Sequence, residues 1–198
     1  MQGSHVVLGR PKATTHDQIE RVAFELFSAH GFDGTTLDAI AGEIDVSRRT
    51  VTRYFGSKND IPWGRFDRTL VDFADLLRAM PSGLPLWERV HRGVVAFNDF
   101  PDDAVPPHRE RMRLILHTPT LVAHSVLRYG QWRNVIAEYV AIETDQSPTA
   151  ALPQLAGHIS LALAMTAYEQ WLDVDNGDSS LLTVLLDKAM ADLRDLLC

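Results

Sequence analysis

Three helix starts follow one another within the first quarter of the chain, and this spacing limits the possible fold more than any other feature. Thr15 and Thr35 each begin a capping-box pattern, in which the partner residue stands three positions later. Ser47 is a third N-cap, and Gly31 is well placed to end the first helix in a left-handed conformation. About three residues separate the second helix from the third. The sequence therefore predicts a three-helix unit that ends in a helix-turn-helix.

Apolar side chains recur at helical spacing throughout the chain, whereas strand patterns are almost absent. The stripe of the first helix is Ile19, Val22, Ala23, Leu26 and Phe27, and that of the second is Leu37, Ile40, Ala41 and Ile44. A fourth helix should begin near Ser57 or Asp60, with a first turn distorted by Pro62, and end near Met80. Further helices are expected at about 85–100, 106–118, 120–143, 149–173 and 179–197. The predicted fold class is all-α, with about nine helices.

Composition excludes several classes of protein. The 198 residues contain one cysteine, Cys198, which rules out a disulfide framework within one chain and fits a reducing compartment. The sequence contains no run of about 18 apolar residues, so a membrane span is not predicted. Its start lacks the basic-then-apolar pattern of a signal peptide, so export is not indicated and a cytoplasmic protein is expected. Glycine-rich phosphate loops and the GxSxG, HExxH and CxxC patterns of enzymes are missing. We predict no enzyme activity, no cofactor and no metal site.

Positive charge is concentrated in one short segment, SRRTVTRYFGSK, over residues 47–58. The whole chain has a formal charge of −7, with −1 on residues 1–57 and −6 on residues 58–198. An acidic body discourages non-specific binding to nucleic acid, but a local basic face can still bind phosphate. The segment falls on the third predicted helix, which is where a helix-turn-helix carries its base-reading residues.

The third helix has one inward and one outward face. Val51, Tyr54 and Phe55 should point inward, and Arg48, Arg49, Thr52 and Arg53 should share the opposite face. Arginine suits base reading because its fork matches the O6 and N7 atoms of guanine. Lys58, at the next helix start, and the Tyr54 hydroxyl are predicted to bind phosphate. Thr36, Ser47 and Thr50 complete the predicted DNA-binding set, while Arg10 and Lys12 of a flexible arm (about 1–13) either add contacts or stay in solvent.

Residues 27–61, FSAHGFDGTTLDAIAGEIDVSRRTVTRYFGSKNDI, resemble the DNA-binding region of the TetR family of bacterial repressors. The shared features are a glycine after the first helix, a Thr-Thr pair, Ile-Ala in the second helix, Val-Ser before the third, and Tyr-Phe-x-x-Lys after it. Within that family, SRRTVTRYFGSKNDIPWGRFD is most similar to regulators beside mycofactocin biosynthesis clusters of actinobacteria. Asp45 stands where the family often has glycine, and Arg49 and Thr52 stand where it often has glycine and tyrosine, so we expect an unfamiliar operator.

The resemblance implies two domains, at 1–57 for DNA binding and at 58–198 for ligand binding and dimerisation. It implies a homodimer formed by the last two helices, and we expect that interface to contain Gly157, Ser160, Leu161, Ala164, Leu182, Leu185, Leu186, Met190 and Leu193. It also implies a pocket for a small lipophilic effector, with acyl-CoA thioesters as one class that family members recognise. The candidate lining residues are Trp87, Phe97, Phe100, Met112, Leu116, His117, Tyr129, Trp132, Tyr168 and Trp171.

The leading interpretation is a dimeric repressor that binds a palindromic operator and is released by its effector. Two alternatives stay open at this point. One is a DNA-binding regulator that responds to a protein partner and has no small-molecule input. The other is an enzyme with a helical body, which would need a convergent set of titratable groups in its cavity.

Overall fold

The structure, a computed structural model, describes residues 14–175 and 177–197. Nine α-helices and no β-strand occur in these two ranges, which confirms the all-α prediction. The helices are α1 (His16–Gly34), α2 (Leu37–Glu43), α3 (Arg48–Tyr54), α4 (Phe66–Arg78), α5 (Leu86–Phe97), α6 (His108–His117), α7 (Pro119–Thr144), α8 (Ala151–Asp173) and α9 (Ser179–Leu197).

The chain divides into two compact units, and the N-terminal unit ends at Gly64. The boundary drawn from the sequence, after residue 57, leaves out a 3₁₀ helix over Lys58–Trp63 that packs on α1. The single distorted helix expected from Pro62 is therefore two elements, because the chain breaks at Gly64 (φ 57°, ψ −130°) before α4 begins. Ser57 precedes the 3₁₀ helix but makes no capping bond to a backbone N–H, and its hydroxyl instead donates to Asp60.

Local sequence signals account for most of the N-terminal unit. Thr15 Oγ1 accepts from the Gln18 N–H at 3.1 Å, as expected of an N-cap. Gly31 interrupts α1 with φ 74° and ψ 161°, a conformation that favours glycine, and Asp45 takes a left-handed conformation (φ 54°) in the turn. The prediction that Thr35 is the N-cap of α2 was wrong, because the cap is the next residue, Thr36.

Thr36 is the N-cap of α2, and its Oγ1 accepts from the Ala39 N–H. Thr35 has a different role, because it is 2 % exposed and its hydroxyl lies 3.2 Å from the Leu26 carbonyl oxygen and 2.9 Å from that of Gly31. The Thr35 hydroxyl thus binds the segment that follows the Gly31 kink to the carbonyl groups of α1. The predicted core stripes of α1 and α2 are buried except at Leu26 and Leu37, which are half-buried.

The C-terminal unit, Arg65–Leu197 as described, is a bundle in which α7 and α8 form the most extensive helix pair. Gly157 makes this pair close, since a Cβ atom there would lie 2.8 Å from the Arg133 carbonyl oxygen. The helices α7 and α8 are therefore held at a separation that only a glycine at position 157 permits.

Aromatic packing joins α4 to α5 and α7. The centre of the Phe73 ring lies 5.4 Å from that of Trp132 and 4.5 Å from that of Phe97.

Replacement of Gly157 by alanine should destabilise this unit by about 1–3 kcal/mol, because the backbone of α7 has to move. The matched control is Gly130→Ala in α7, where the new Cβ would meet only the Arg133 Nη2 atom at 3.9 Å. Because alanine has a higher helix propensity than glycine, the stability of Gly130→Ala should be unchanged or slightly increased. Denaturant unfolding of both variants measures the difference, and equal midpoints would contradict the close approach at Gly157.

Candidate DNA-binding surface and ligand cavity

The α3 helix presents a basic face because its other face is buried. Ser47 Oγ accepts from the Thr50 N–H at 3.1 Å and fixes the start of the helix. Val51 is 0 % and Phe55 3 % exposed, so the rotation of α3 about its axis is set by the core. The predicted outward set is then exposed or half-buried, as expected: Arg48, Arg49, Thr52 and Arg53.

The arginines of this face differ in their surroundings. Arg48 Nη1 lies 3.1 Å from the Asp38 carboxylate of α2, in a solvent-exposed ion pair. The Arg53 guanidinium lies 5.4 Å from the centre of the Tyr54 ring. Arg49 is exposed, and among the described residues its guanidinium has no hydrogen-bond partner. Arg49 can therefore meet a base edge without first leaving an ion pair, as Arg48 must, or a ring contact, as Arg53 must.

Lys58 holds the end of α1, a role that sequence reasoning missed. Its Nζ atom donates to the carbonyl oxygens of Phe32 (2.7 Å) and Thr35 (2.8 Å) and lies 4.3 Å from the centre of the Phe32 ring. An ammonium group has three donors, so these two bonds leave one N–H. A phosphate contact by Lys58 stays a prediction, and it would use that remaining donor.

Tyr54 also differs from expectation. Its ring is half-buried, and its hydroxyl donates to the Thr14 carbonyl oxygen at 2.6 Å, so it joins the end of α3 to the start of α1. The predicted phosphate contact would need the same hydroxyl proton. Thr36 is exposed at the start of α2. Arg10 and Lys12 lie outside the described residues.

Two cavities in the C-terminal unit bear on ligand binding, and the larger of this pair has a volume of about 230 Å³. Its lining comes from α6, α7 and α8: Leu116, His117, Val122, Ser125, Tyr129, Met165, Glu169 and Leu172. Three of these, Leu116, His117 and Tyr129, belong to the predicted ligand set. Sequence reasoning missed the other five, although positions 122, 125 and 129, and positions 165, 169 and 172, have the spacing of single helix faces.

The remaining predicted lining residues are elsewhere in the unit. Phe100 and Trp171 line a smaller cavity of about 130 Å³ between the α5–α6 and α8–α9 connections. Trp132 and Phe97 pack in the aromatic cluster with Phe73, and Met112 is buried. Trp87 Nε1 donates to the Met190 sulfur, which joins α5 to α9. Neither of these two cavities is therefore lined by all ten residues.

A buried polar cluster lies beside the smaller cavity. The Tyr168 hydroxyl donates to Asn98 Oδ1 at 2.6 Å, and His108 Nε2 lies 2.8 Å from the same hydroxyl oxygen. Because the Tyr168 proton is used, this network assigns the His108 proton to Nε2. Burial, and secondly the charge of Arg111, lowers the pKa of His108 to about 3. Burial raises the pKa of Tyr129 to about 12, so both groups are neutral near pH 7.

Six of the nine residues predicted for the dimer interface are buried within the single chain. They are Gly157, Ser160, Ala164, Leu182, Leu186 and Met190, whereas Leu161, Leu185 and Leu193 are half-buried. The α8 helix packs on both α7 and α9, so it uses its small residues within its own unit. Its outward side carries Leu152 (49 % exposed) and Leu155 (55 % exposed).

Comparison with known proteins identifies the family. The model of "Bacterial regulatory proteins, tetR family" matches residues 19–61, and the model "MftR C-terminal domain" matches residues 84–197. The chain belongs to the TetR family. It is 42 % identical over 165 residues to MftR of Mycobacterium tuberculosis, whose name assigns it to mycofactocin biosynthesis regulation, and the match covers 83 % of each chain. The families and relatives matched are transcriptional regulators and not enzymes.

Solved structures share the fold at low sequence identity. SmeT, the repressor of a Stenotrophomonas maltophilia multidrug efflux pump, has a TM-score of 0.60 and 16 % identity, and the match covers 92 % of each chain. Thermus thermophilus FadR in complex with lauroyl-CoA has a TM-score of 0.57 and 20 % identity, with 89 % of this chain and 92 % of that chain covered. Among the described residues no helix is long and apolar enough to cross a membrane.

Arg49→Ala should relax specificity at one operator position and cost about 1–3 kcal/mol of binding free energy, because it removes the side chain best placed to meet a base edge. Arg113→Ala is the control, since Arg113 is an exposed arginine of α6 in the other unit. Binding is measured on a duplex that the protein selects from a random library and on all its single-base variants. An equal loss on every sequence would mean that Arg49 contacts phosphate only.

Proposed function

We propose that this protein is a dimeric transcriptional repressor that binds a palindromic operator and is released by a small lipophilic effector. The observation that carries the proposal is the exposed basic face of α3, whose orientation follows from the burial of Val51 and Phe55. A helix of this kind enters the major groove with its N-terminal half against the base edges. Arg48 and Arg49 stand at that end of α3.

Dimerisation supports operator binding because one helix-turn-helix reads too few base pairs for tight specific binding. The outward apolar side of α8 supports a dimer surface at Leu152 and Leu155, continued by the half-buried Ile159 and Leu163. Their spacing of three or four residues places them along one side of the helix. On α9, Val184 is 61 % exposed and offers a further apolar contact. We propose this surface in place of the set expected from the sequence, because six of those nine residues are buried within the single chain.

Leu155→Glu should convert the dimer to monomers, because the carboxylate would be buried in an apolar contact without a partner. The control is Leu127→Glu on α7, which introduces the same charge at a leucine that is 71 % exposed. Sedimentation analysis gives the oligomeric state of both variants. A dimer that persists in Leu155→Glu would place the interface elsewhere.

The larger cavity supports a lipophilic effector. Leu116, Val122, Met165 and Leu172 form apolar walls, and the buried Ser125 and the half-buried Tyr129 add neutral hydrogen-bonding groups. Its volume of about 230 Å³ is below the range of about 300–1,000 Å³ typical of ligand pockets. An effector larger than a short acyl chain would therefore have to move the cavity walls. FadR of T. thermophilus, which shares the fold, is known in complex with lauroyl-CoA, so an acyl-CoA is a reasonable first probe.

Arg128 offers a route from this cavity to α4. It lies on α7 between Ser125 and Tyr129, which line the cavity, and Tyr129 is its immediate neighbour. Its Nη1 atom lies 3.1 Å from the Asp67 carboxylate in the first turn of α4, and its guanidinium lies 5.6 Å from the centre of the Phe66 ring. The chain passes from the N-terminal unit into α4 through Gly64 and Arg65. A shift of α7 would therefore act on the first turn of α4.

Operator and effector should weaken each other's binding by the same factor, typically about 5–150-fold, because coupling between two sites is reciprocal. Lauroyl-CoA, lauric acid and triclosan are titrated with and without saturating operator; triclosan is included because SmeT is known in complex with it. Arg128→Met should reduce the coupling factor. Arg68→Met, which breaks the Arg68–Asp72 pair within α4, should leave it unchanged.

The two parts of this test have separate outcomes. If none of the probes binds more weakly in the presence of operator, the ligand-responsive function is contradicted and a regulator controlled by a protein partner takes its place. If coupling is present and Arg128→Met retains it in full, the repressor function stands and the route through Arg128 is excluded.

A further inference from the structure

The buried polar cluster beside the smaller cavity permits one arrangement of its protons. One amide atom of the Asn98 side chain lies 2.7 Å from the Val94 carbonyl oxygen. A carbonyl group only accepts, so this amide atom is the nitrogen, and the amide oxygen accepts from the Tyr168 hydroxyl at 2.6 Å. Because the Tyr168 proton is then used, His108 Nε2 must donate to the same hydroxyl oxygen, which lies 2.8 Å away.

Two hydrogen-bonding positions of this cluster remain unused. One is the second N–H of the Asn98 amide, which is a donor. The other is His108 Nδ1, which is an acceptor because the ring proton is on Nε2. Within residues 14–175 and 177–197, neither position has a hydrogen-bond partner. Asn98 is 3 % exposed, and an unsatisfied buried N–H is costly, so a ligand that accepts from it gains binding free energy.

Both residues line the smaller cavity, which also has apolar walls. The Phe100 ring stacks on His108, with the two ring centres 3.7 Å apart, and so fixes the orientation of the imidazole. Trp171 and Leu182 are buried lining residues. Trp171 Nε1 already donates to the Asp178 carbonyl oxygen at 2.8 Å, so this residue contributes an apolar ring to the lining and not a donor.

The charged residues of the lining are already bound to the backbone. Arg109 Nη1 donates to the Gly177 carbonyl oxygen at 3.0 Å, and Asp102 and Asp178 each accept a backbone N–H of the first turn of α9 at 3.0 Å. Two carboxylates and one guanidinium give the lining a negative charge, which disfavours an anionic ligand. An ammonium group has no acceptor for the Asn98 N–H. A neutral ligand is therefore favoured.

We propose that the smaller cavity is a binding site for a small neutral hydroxyl compound, whose oxygen accepts from Asn98 Nδ2 and donates to His108 Nδ1. A hydroxyl group is both a donor and an acceptor, so one such group satisfies both unused positions. The site is separate from the larger cavity, with which it shares no lining residue. It does not depend on the proposed function.

The volume of the smaller cavity sets the size of this ligand. It is about 130 Å³, several times the roughly 30 Å³ that one water molecule occupies in the liquid. An apolar cavity of about 150 Å³ holds benzene. A single aromatic ring with a hydroxyl group, as in phenol, therefore fits the cavity in both size and hydrogen bonding, and phenol is the probe for this class.

The test follows the indole N–H resonance of Trp171 by NMR, since Trp171 lines the smaller cavity and not the larger one. Trp171→Phe identifies this resonance by its loss. Phenol should shift it with a dissociation constant of about 1 mM or below, which is within the limits for so small a ligand. The indole resonance of Trp63, in the N-terminal unit, is the control and should not move.

Toluene and benzoate are the matched ligands, and both are tested on the wild-type protein. Toluene has the size and shape of phenol but no hydrogen-bonding group. It should bind about 30-fold more weakly, because each of two neutral hydrogen bonds contributes about fivefold. Benzoate has a negative charge and no donor for His108 Nδ1, so it should also bind more weakly than phenol.

His108→Phe retains an aromatic ring beside Phe100 and removes Nδ1. The preference for phenol over toluene should fall to about fivefold, while the affinity for toluene is retained. A purely structural role of His108 would instead lower the affinity for both ligands equally. His117→Phe is the matched control, since His117 is an exposed histidine in the lining of the larger cavity, and this variant should keep the full preference for phenol.

Four results would overturn the proposal. A Trp171 resonance that phenol does not move would mean that the cavity takes no such ligand, and toluene binding as tight as that of phenol would exclude the two hydrogen bonds. Benzoate binding tighter than that of phenol would indicate charge recognition by Arg109. An unchanged preference for phenol in folded His108→Phe would remove His108 from the site. The first three results come from the wild-type protein and do not depend on the folding of this variant.

Discussion

The burial of Val51 and Phe55 is the constraint on which the DNA-binding surface depends. These two side chains fix the rotation of a helix only seven residues long, too short to be stable by its own hydrogen bonds. Once they are in the core, Arg48, Arg49 and Arg53 can only face outward. The Ser47 cap fixes the start of the basic segment 47–58, and the hydrogen bonds from Lys58 to the end of α1 fix its last residue. The outward orientation of this basic face is therefore a consequence of core packing in the unit.

Prediction from sequence succeeded where the determining contact is local. The caps at Thr15 and Ser47, the positive φ at Gly31 and the turn at Asp45 all arise from interactions within about four residues, so the pattern contains them. Lys58 and Tyr54 could not be predicted in this way. Their partners lie 23 to 40 residues away in the sequence. The sequence pattern around a lysine or tyrosine is the same whether its side chain contacts DNA or a backbone carbonyl group.

The α8 helix shows a second limit of periodicity. Its apolar residues surround the helix, so the pattern indicates burial on several sides without telling which side faces the same chain. The small residues Gly157, Ser160 and Ala164 suit close approach of any helix, and in the structure they are buried within the unit that α8 shares with α7 and α9. The predicted ligand set, which stays a prediction, differs from the lining of the larger cavity for a related reason. Aromatic size indicates a core, whereas the larger cavity is lined by mid-sized residues such as Val122 and Met165.

The C-terminal part of the chain combines a negative net charge with buried groups that are neutral. Residues 58–198 carry a formal charge of −6, so the body of the protein repels a phosphate backbone and limits non-specific binding. The interior of the same region contains groups that burial keeps neutral, with the pKa of His108 lowered to about 3 and that of Tyr129 raised to about 12. A cavity beside neutral groups favours an uncharged part of a ligand, because a buried charge would lack a counter-ion. An effector with an anionic group would therefore keep that group in solvent and away from Glu169, an exposed acidic residue in the lining of the larger cavity.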